Sequence, residues 1–248
     1  MAVVTGNPGR TLVVMPAWNE EQSIARVIAE VSKALPDADC LVVDDGSSDR
    51  TAAIARAAGA MVASLPFNMG VGGAMRFGFK FAREGAYRAV VQIDADGQHN
   101  PEEATRLIQA LQTADIAIGA RFAGIKGYRV RGPRRWAMKL LSAVLSRIAR
   151  VKLTDTTSGF KASGPRAIAI FAENYPAEYL GDTIEAIVIA AREGCRIVQV
   201  PVAMRERLAG TPSQGPVRSA LYLARVSISL AFAIVRPTSS YAASAVTS

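Results

Sequence analysis

Two carboxylates, Asp94 and Asp96, stand one residue apart in the stretch "QIDADGQHNPE" (92–102), where an apolar run gives way to a turn at Asn100-Pro101. If extended backbone continues through them, both side chains leave the same face, because strand side chains repeat every two residues. Like charges at that spacing repel unless a cation or a set of donors lies between them. A hard divalent ion meets that need, above all when diphosphate oxygens complete its octahedron. The plainer alternative is a solvated turn in which Asp caps a helix or a turn. His99, the chain's only histidine, follows within three residues. Beside two such carboxylates it suits support of the loop better than catalysis.

A second pair, Asp44 and Asp45, ends another apolar run in "VVDDGSSD". Asp-Gly is a favoured turn pair, and Ser47 and Ser48 can cap a following helix, so turn chemistry explains the string. Equally, one of the two Asp can accept hydrogen bonds from a nucleobase or ribose. Both readings stay open. "NMGVGGAMRFG" carries Gly70 and Gly72 but Met75 where a dinucleotide fingerprint needs its third glycine, and it follows the third strand rather than the first. Close backbone packing at a helix start explains it, and contact with a bound ligand is compatible with it. The string from Arg121 to Arg135 is dense in arginine and glycine, which favours a phosphate or a membrane surface over a plain solvated face. Asp182 and Glu185 in "GDTIEA" are candidate general bases, or simply acidic residues at a helix N-terminus.

These residues need a scaffold, and the first half of the chain supplies a regular one. Short apolar runs at 11–15, 40–44, 60–64, 89–93 and 116–119 alternate with helix-like segments. Asn19, with Gln22 three residues on, predicts a capped helix start, and another helix is expected from about Asp49 to Ala58, closed by Gly59. Strands this apolar, each followed by a helix, predict an α/β fold with a mostly parallel sheet covered on both faces. The carboxyl ends of such strands are where ligands gather, and both Asp pairs lie there. In the second half, the loop 120–135 leads into an amphipathic helix at about 134–150. "RIVQVPV" reads as a strand. A final helix at 218–236 has a narrow polar stripe suited to a membrane interface, a membrane partner or the chain's own core. A single domain over 1–236 with a flexible tail at 237–248 is the expected organisation.

The totals narrow the classes. Among 248 residues, 29 Lys and Arg against 21 Asp and Glu give a formal charge of +8, which favours anionic partners. The basic residues are not interleaved with stacking aromatics, which argues against nucleic acid. One histidine excludes a multi-His metal site. Cys40 and Cys195 sit in apolar runs without metal or redox spacing and fit a reducing compartment. Without a signal-like N-terminus, or an apolar run of roughly 18 residues, a cytosolic protein at most peripherally bound to membrane is expected.

Taken in order, "MPAWNE", "VVDDGSSDRT", "NMGVGGAMRFG", "IDADGQH", "GARF", "TSGF" and "RERLAG" resemble the motifs of family 2 glycosyltransferases, and most closely those of the polyprenyl-phosphate sugar synthases. The resemblance spans about residues 11 to 215. It implies a GT-A fold, a GDP- or UDP-linked sugar donor, and Mg²⁺ or Mn²⁺ held by Asp94, Asp96 and Gln98. Around the donor it implies Pro16, Trp18, Glu20, Asp44, Asp45, Asn68, Gly70 and Ala95, with Arg207 on a covering loop. It sets Arg121, Arg131 and Arg134 against an acceptor phosphate. The covering loop departs from the family, since "RLAGTPSQG" shifts the usual serine by one place and lacks the lysine. The expected activity is inverting, metal-dependent transfer of a sugar onto polyprenyl phosphate at the cytosolic membrane face. Catalysis is then expected from Asp96 and Arg121. The alternatives are transfer to a glycan or protein hydroxyl, with Asp182 or Glu185 as base, and a catalytically silent membrane-docked module. A membrane surface or a small integral membrane protein is the expected partner, and self-association is allowed.

Overall fold

The structure is a computed structural model that describes residues 9–121, 142–149, 151, 153–155, 158–176 and 182–205. The expected basic loop from 122 on, the expected final helix and tail, and with them Arg131, Arg134 and Arg207, lie outside the described residues. Strands β1 (Thr11–Ala17), β2 (Asp39–Asp44), β3 (Met61–Ser64), β4 (Ala89–Gln92) and β5 (Ile116–Arg121) appear where the apolar runs predict them. Between them stand helices α1 (Ile24–Ala34), α2 (Thr51–Ala57), α3 (Gly70–Glu84) and α4 (Ala104–Ala110), the last preceded by a 3₁₀ turn at Pro101–Glu103. Further on come a helical stretch α5 at 142–149, strand β6 (Lys161–Ser163), helices α6 (Pro165–Asn174) and α7 (Asp182–Arg192), and strand β7 (Ile197–Val202).

The strands form one seven-stranded sheet in the order β3-β2-β1-β4-β6-β5-β7. All pairs are parallel except the two made by β6, which runs antiparallel between β4 and β5. The expected mostly parallel sheet is present, with this short reversed strand as an addition that the apolar pattern did not announce.

Alternation along the strands divides the core in two. Leu12 and Val14 face one way with Leu41, Val43, Val90, Ile116 and Ile118, against α3, α6 and α7. Val13 and Met15 face the other way with Val42, Val91, Ile93 and Ala117, against α1, α2 and α4. Helix α1 forms because Ile24, Val27, Ile28 and Val31 recur at one-turn spacing and bury a single stripe on the sheet. Helix α3 approaches β1 so closely that a Cβ on Gly78 would lie 2.5 Å from a Val14 methyl.

Two predicted caps are replaced by contacts distant in sequence. Helix α1 starts at Ile24, not just after Asn19. Asn19 takes a left-handed φ of 54°, and its side-chain oxygen accepts from the Ser48 backbone N–H at 2.9 Å. In return, the backbone N–H groups of Asn19 and Glu20 donate to the hydroxyls of Ser47 and Thr51 at 3.0 and 2.8 Å. Ser47 and Ser48 therefore do not cap α2, whose start at Thr51 is held by Asp49, which accepts from the Thr51 backbone N–H at 2.9 Å. Burial favours the neutral Asp49 carboxyl, but the hydrogen bonds from Thr51 and Glu21 outweigh it and hold it below its usual range.

Candidate functional site

The loops after β1, β2 and β4 leave the sheet at its carboxyl edge, and β1 lies between the other two strands. This sets the 44–49 loop and the 93–99 loop on either side of Pro16 and Trp18. Pro16 is half-buried in β1, and Trp18 is exposed just beyond it.

In the 44–49 loop Asp44 and Asp45 are both buried. Asp44 accepts from the Ser47 backbone N–H at 3.2 Å. Asp45 has both oxygens engaged: one accepts from Met69 N–H at 2.7 Å, the other from Gly70 N–H at 2.8 Å. It thereby closes the first turn of α3, with Asn68 accepting from Gly70 N–H at 3.1 Å. Burial pushes the Asp45 carboxyl above the usual carboxylate range; the two N–H donors oppose this and Asp44 adds to it. Gly46 makes the junction sterically possible. It has φ +71°, and a Cβ there would stand 2.8 Å from the Phe67 carbonyl carbon.

The 93–99 loop corrects the expectation that Asp94 and Asp96 extend the strand. Strand β4 ends at Gln92, residues 95–96 turn, and Gly97 adopts φ +77°. Hydrogen bonding to the turn overrides the apolar run, so the two-residue alternation does not apply. The carboxylates have different surroundings. Asp94 keeps 37% of its side chain exposed and accepts from the Gln92 amide at 3.2 Å. Asp96 is 5% exposed and accepts from Gln98 N–H at 3.0 Å. Ala95 between them is buried.

His99 supports this loop, as its position suggests. Its Nδ1 accepts from the Asp94 backbone N–H at 3.0 Å, which places the ring proton of the neutral tautomer on Nε2, 3.6 Å from an Asp94 oxygen. The ring stacks on Phe160 at 4.8 Å between centroids. Backbone from 158 to 160 presses on the same carboxylate: a Cβ on Gly159 would lie 3.1 Å from the Gln92 amide nitrogen and 3.3 Å from Asp94. On the other side, Arg205 fastens the chain after β7 to this turn. Its N–H donates to the Gln98 carbonyl at 2.9 Å, and its guanidinium reaches Asn100 at 2.6 Å and pairs with Glu30.

Sequence reasoning missed Gln92, Gly159, Lys161 and Arg205. A glutamine within the buried run "VVQI" was the available signal for the first; Gly159 and Arg205 lie in the motifs "TSGF" and "RERLAG" without having been singled out there, and Lys161 carries no local signal. Glu20 lies at this edge, its carboxylate accepting from Ser23 Oγ at 2.8 Å. Arg121 is the last residue of β5 and Asp182 the first of α7. Glu185 is half-buried on α7, away from the two Asp loops in the chain's order. Its neighbours Ala186 and Ile187 line a cavity shared with Gln92 and Lys161.

Among the described residues no three His, Cys, Asp or Glu side chains converge on one point. The donor set nevertheless fits a hard divalent cation that takes one or two carboxylates from protein and the rest of its shell from phosphate oxygens and water. Nor is any described helix long and apolar enough to cross a membrane.

Residues 12–172 match the sequence profile of Glycosyl transferase family 2. The chain is 35% identical to an undecaprenyl-phosphate mannosyltransferase of Micrococcus luteus, over 81% of this chain and 86% of that protein. It is 31% identical to a polyprenol monophosphomannose synthase of Mycolicibacterium smegmatis, over 86% and 84%. In fold it resembles glucosyl-3-phosphoglycerate synthase of Mycobacterium tuberculosis, crystallised with Mn²⁺, UDP and glucosyl-3-phosphoglycerate. The TM-score is 0.71 at 22% identity, covering 93% of this chain and 82% of the other.

Proposed function

Because the chain belongs to the family 2 glycosyltransferases, we propose that it moves a sugar from a nucleotide donor onto a polyprenyl phosphate. The observation that carries this reading is the similarity, over more than four-fifths of the chain, to two proteins named for that acceptor. The carboxyl-edge geometry supports it. Asp94 and Asp96, with Gln98, would hold Mg²⁺ or Mn²⁺, which when bound supplies Lewis acidity toward the departing diphosphate. Asp44, Pro16, Trp18 and Glu20 line the edge where a nucleotide would lie. Asp45, Asn68 and Gly70 act on that region by fixing the start of α3.

In the reaction an acceptor phosphate oxygen attacks the sugar's anomeric carbon as its bond to the donor diphosphate breaks. The products are the lipid phosphosugar and a free nucleoside diphosphate. A single displacement from the opposite face inverts the anomeric centre. The nucleophile is already an anion near pH 7, so no strong general base is needed, consistent with a site whose one histidine is tied to Asp94. Arg121, Arg131 and Arg134 would orient the acceptor phosphate by paired hydrogen bonds. Arg207 follows the fastened Arg205 by two residues and would cover the donor. The basic segment 120–135 and the amphipathic segments 134–150 and 218–236, expected from the sequence to be helical, would hold the enzyme at the cytosolic membrane face, alone or on a small integral membrane protein.

The test is a transfer assay with purified protein, detergent-dispersed undecaprenyl phosphate and radiolabelled GDP-mannose, UDP-glucose or UDP-N-acetylglucosamine. Label is expected in the lipid with one donor, and to be lost with EDTA and with Asp96→Asn. Label entering only a sugar or protein hydroxyl, and dependent on Asp182 or Glu185, would overturn the lipid acceptor.

A further inference from the structure

Beneath the carboxylate turn, on the α3, α6 and α7 side of the sheet, lies a cavity of about 10 Å³. Its polar lining is Gln92, Lys161, Ser163 and Tyr175. A lysine at 8% exposure in the middle of a sheet is unusual, since burying an ammonium requires partners. The reversed strand puts it there: the register sets Lys161 opposite Gln92 on β4 and opposite Ile118 on β5. Directly opposed residues of antiparallel strands share a face. The Lys161 ammonium donates to the Tyr175 hydroxyl at 3.4 Å and lies 5.9 Å from that ring's centroid.

Gln92 links this interior to the site. It is 3% exposed, and its Nε2 donates to Asp94. The amide is fixed in that sense, since the reverse orientation would set oxygen against carboxylate. Its Oε1 is left buried with no hydrogen-bond partner among the described residues. A cavity of this size holds about one water molecule; the ammonium offers it a donor and the amide oxygen an acceptor.

We propose that the cavity is a one-water site through which Lys161 acts as a positioning residue for Asp94, with Gln92 carrying the constraint from the ammonium to the carboxylate. This rests on Asp94 being a cation ligand. The water donates to Gln92 Oε1 and accepts from Lys161. The amide can then neither flip nor withdraw, and one Asp94 oxygen stays fixed while His99 bounds the other. Residues that orient a metal ligand in this way typically change metal affinity by roughly 10- to 100-fold when removed.

Mn²⁺ binding, followed by the electron paramagnetic resonance of the free ion with UDP or GDP present, tests this without turnover. Lys161→Met and Gln92→Leu are each expected to weaken Mn²⁺ binding about tenfold, and the double variant to bind no more weakly than the poorer single one. A folded Lys161→Met within about twofold of wild type, or single effects that multiply in the double variant, would overturn the relay. If Lys161→Met does not fold, Lys161→Gln replaces it in the same cycle. A crystal structure is expected to show one ordered water between Gln92 Oε1 and Lys161 Nζ; a dry cavity would also overturn the proposal. Wild-type protein that binds no Mn²⁺ with either nucleotide would remove the cation reading of Asp94 itself, and the relay with it.

Discussion

Replacing Asp45 by Asn separates two roles that the residue's position allows, contact with a donor and closure of α3. In the structure both oxygens are occupied by the N–H groups of Met69 and Gly70, at 2.7 and 2.8 Å. Asn keeps one acceptor, for Met69 N–H, but turns an NH₂ group toward Gly70 N–H, so one hydrogen bond to a charged group is lost and Gly70 N–H keeps only Asn68 as its acceptor. Such a bond contributes about 1.5–3 kcal/mol. Because burial already pushes the wild-type carboxyl up, the lower part of that range applies, about 2 kcal/mol. For a chain of this size that lowers Tm by about 4–8 °C. The assay is thermal unfolding without nucleotide, run beside donor binding at a temperature where both proteins are folded. A variant that melts within about 1 °C of wild type but loses nucleotide affinity tenfold or more would refute the reasoning, because the carboxylate would then be serving the ligand and not the helix.

Gly46→Ala should be worse tolerated than its size suggests. The left-handed φ of 71° and the 2.8 Å approach to Phe67 backbone offer no flexible side chain to yield, so the expected result is a lower Tm together with weaker nucleotide binding. Gly159→Ala places a methyl 3.1 Å from the Gln92 amide and 3.3 Å from Asp94. It is expected to raise the Mn²⁺ requirement severalfold with little change in Tm, and an unchanged metal titration would contradict the packing. For Glu30, burial alone would raise the carboxyl, but hydrogen bonds from Arg26 and Arg205 and their charges outweigh it and hold the group below its usual range. The sign follows: its contribution is present above the unfolded value of about 4.3 and is lost as pH falls through the folded value. The stability difference between wild type and Glu30→Gln in denaturant titrations should therefore shrink as pH drops below about 4.3; a constant difference would refute it.

The sequence displays the first five strands openly because each is a short apolar run ended by turn residues, and the same pattern fixes the sheet as mostly parallel. Strand β6 was hidden for the opposite reason. "KAS" has no large apolar side chain, and its lysine argues locally against burial; only its two neighbours in the sheet make it a strand. The caps at Asn19 and Ser47 failed likewise. Local rules pair a cap with the next few residues, whereas here the partners are 28 or 29 positions away. The carboxylates were legible as a candidate site from residue type and spacing. Their unequal exposure was not, since it depends on where β4 ends and on Gly159 and His99 packing around Asp94.

The fastening of Arg205 to Gln98 and Asn100 carries a mechanical consequence. One short turn bears the two carboxylates and also receives Arg205, the residue three places past the end of β7. Restraining either side lowers the entropy still to be lost by the other, and the coupling is the same in both directions. Whatever settles on Asp94 and Asp96 therefore also steadies Arg205 where it meets the turn, with no need for a separate messenger between them.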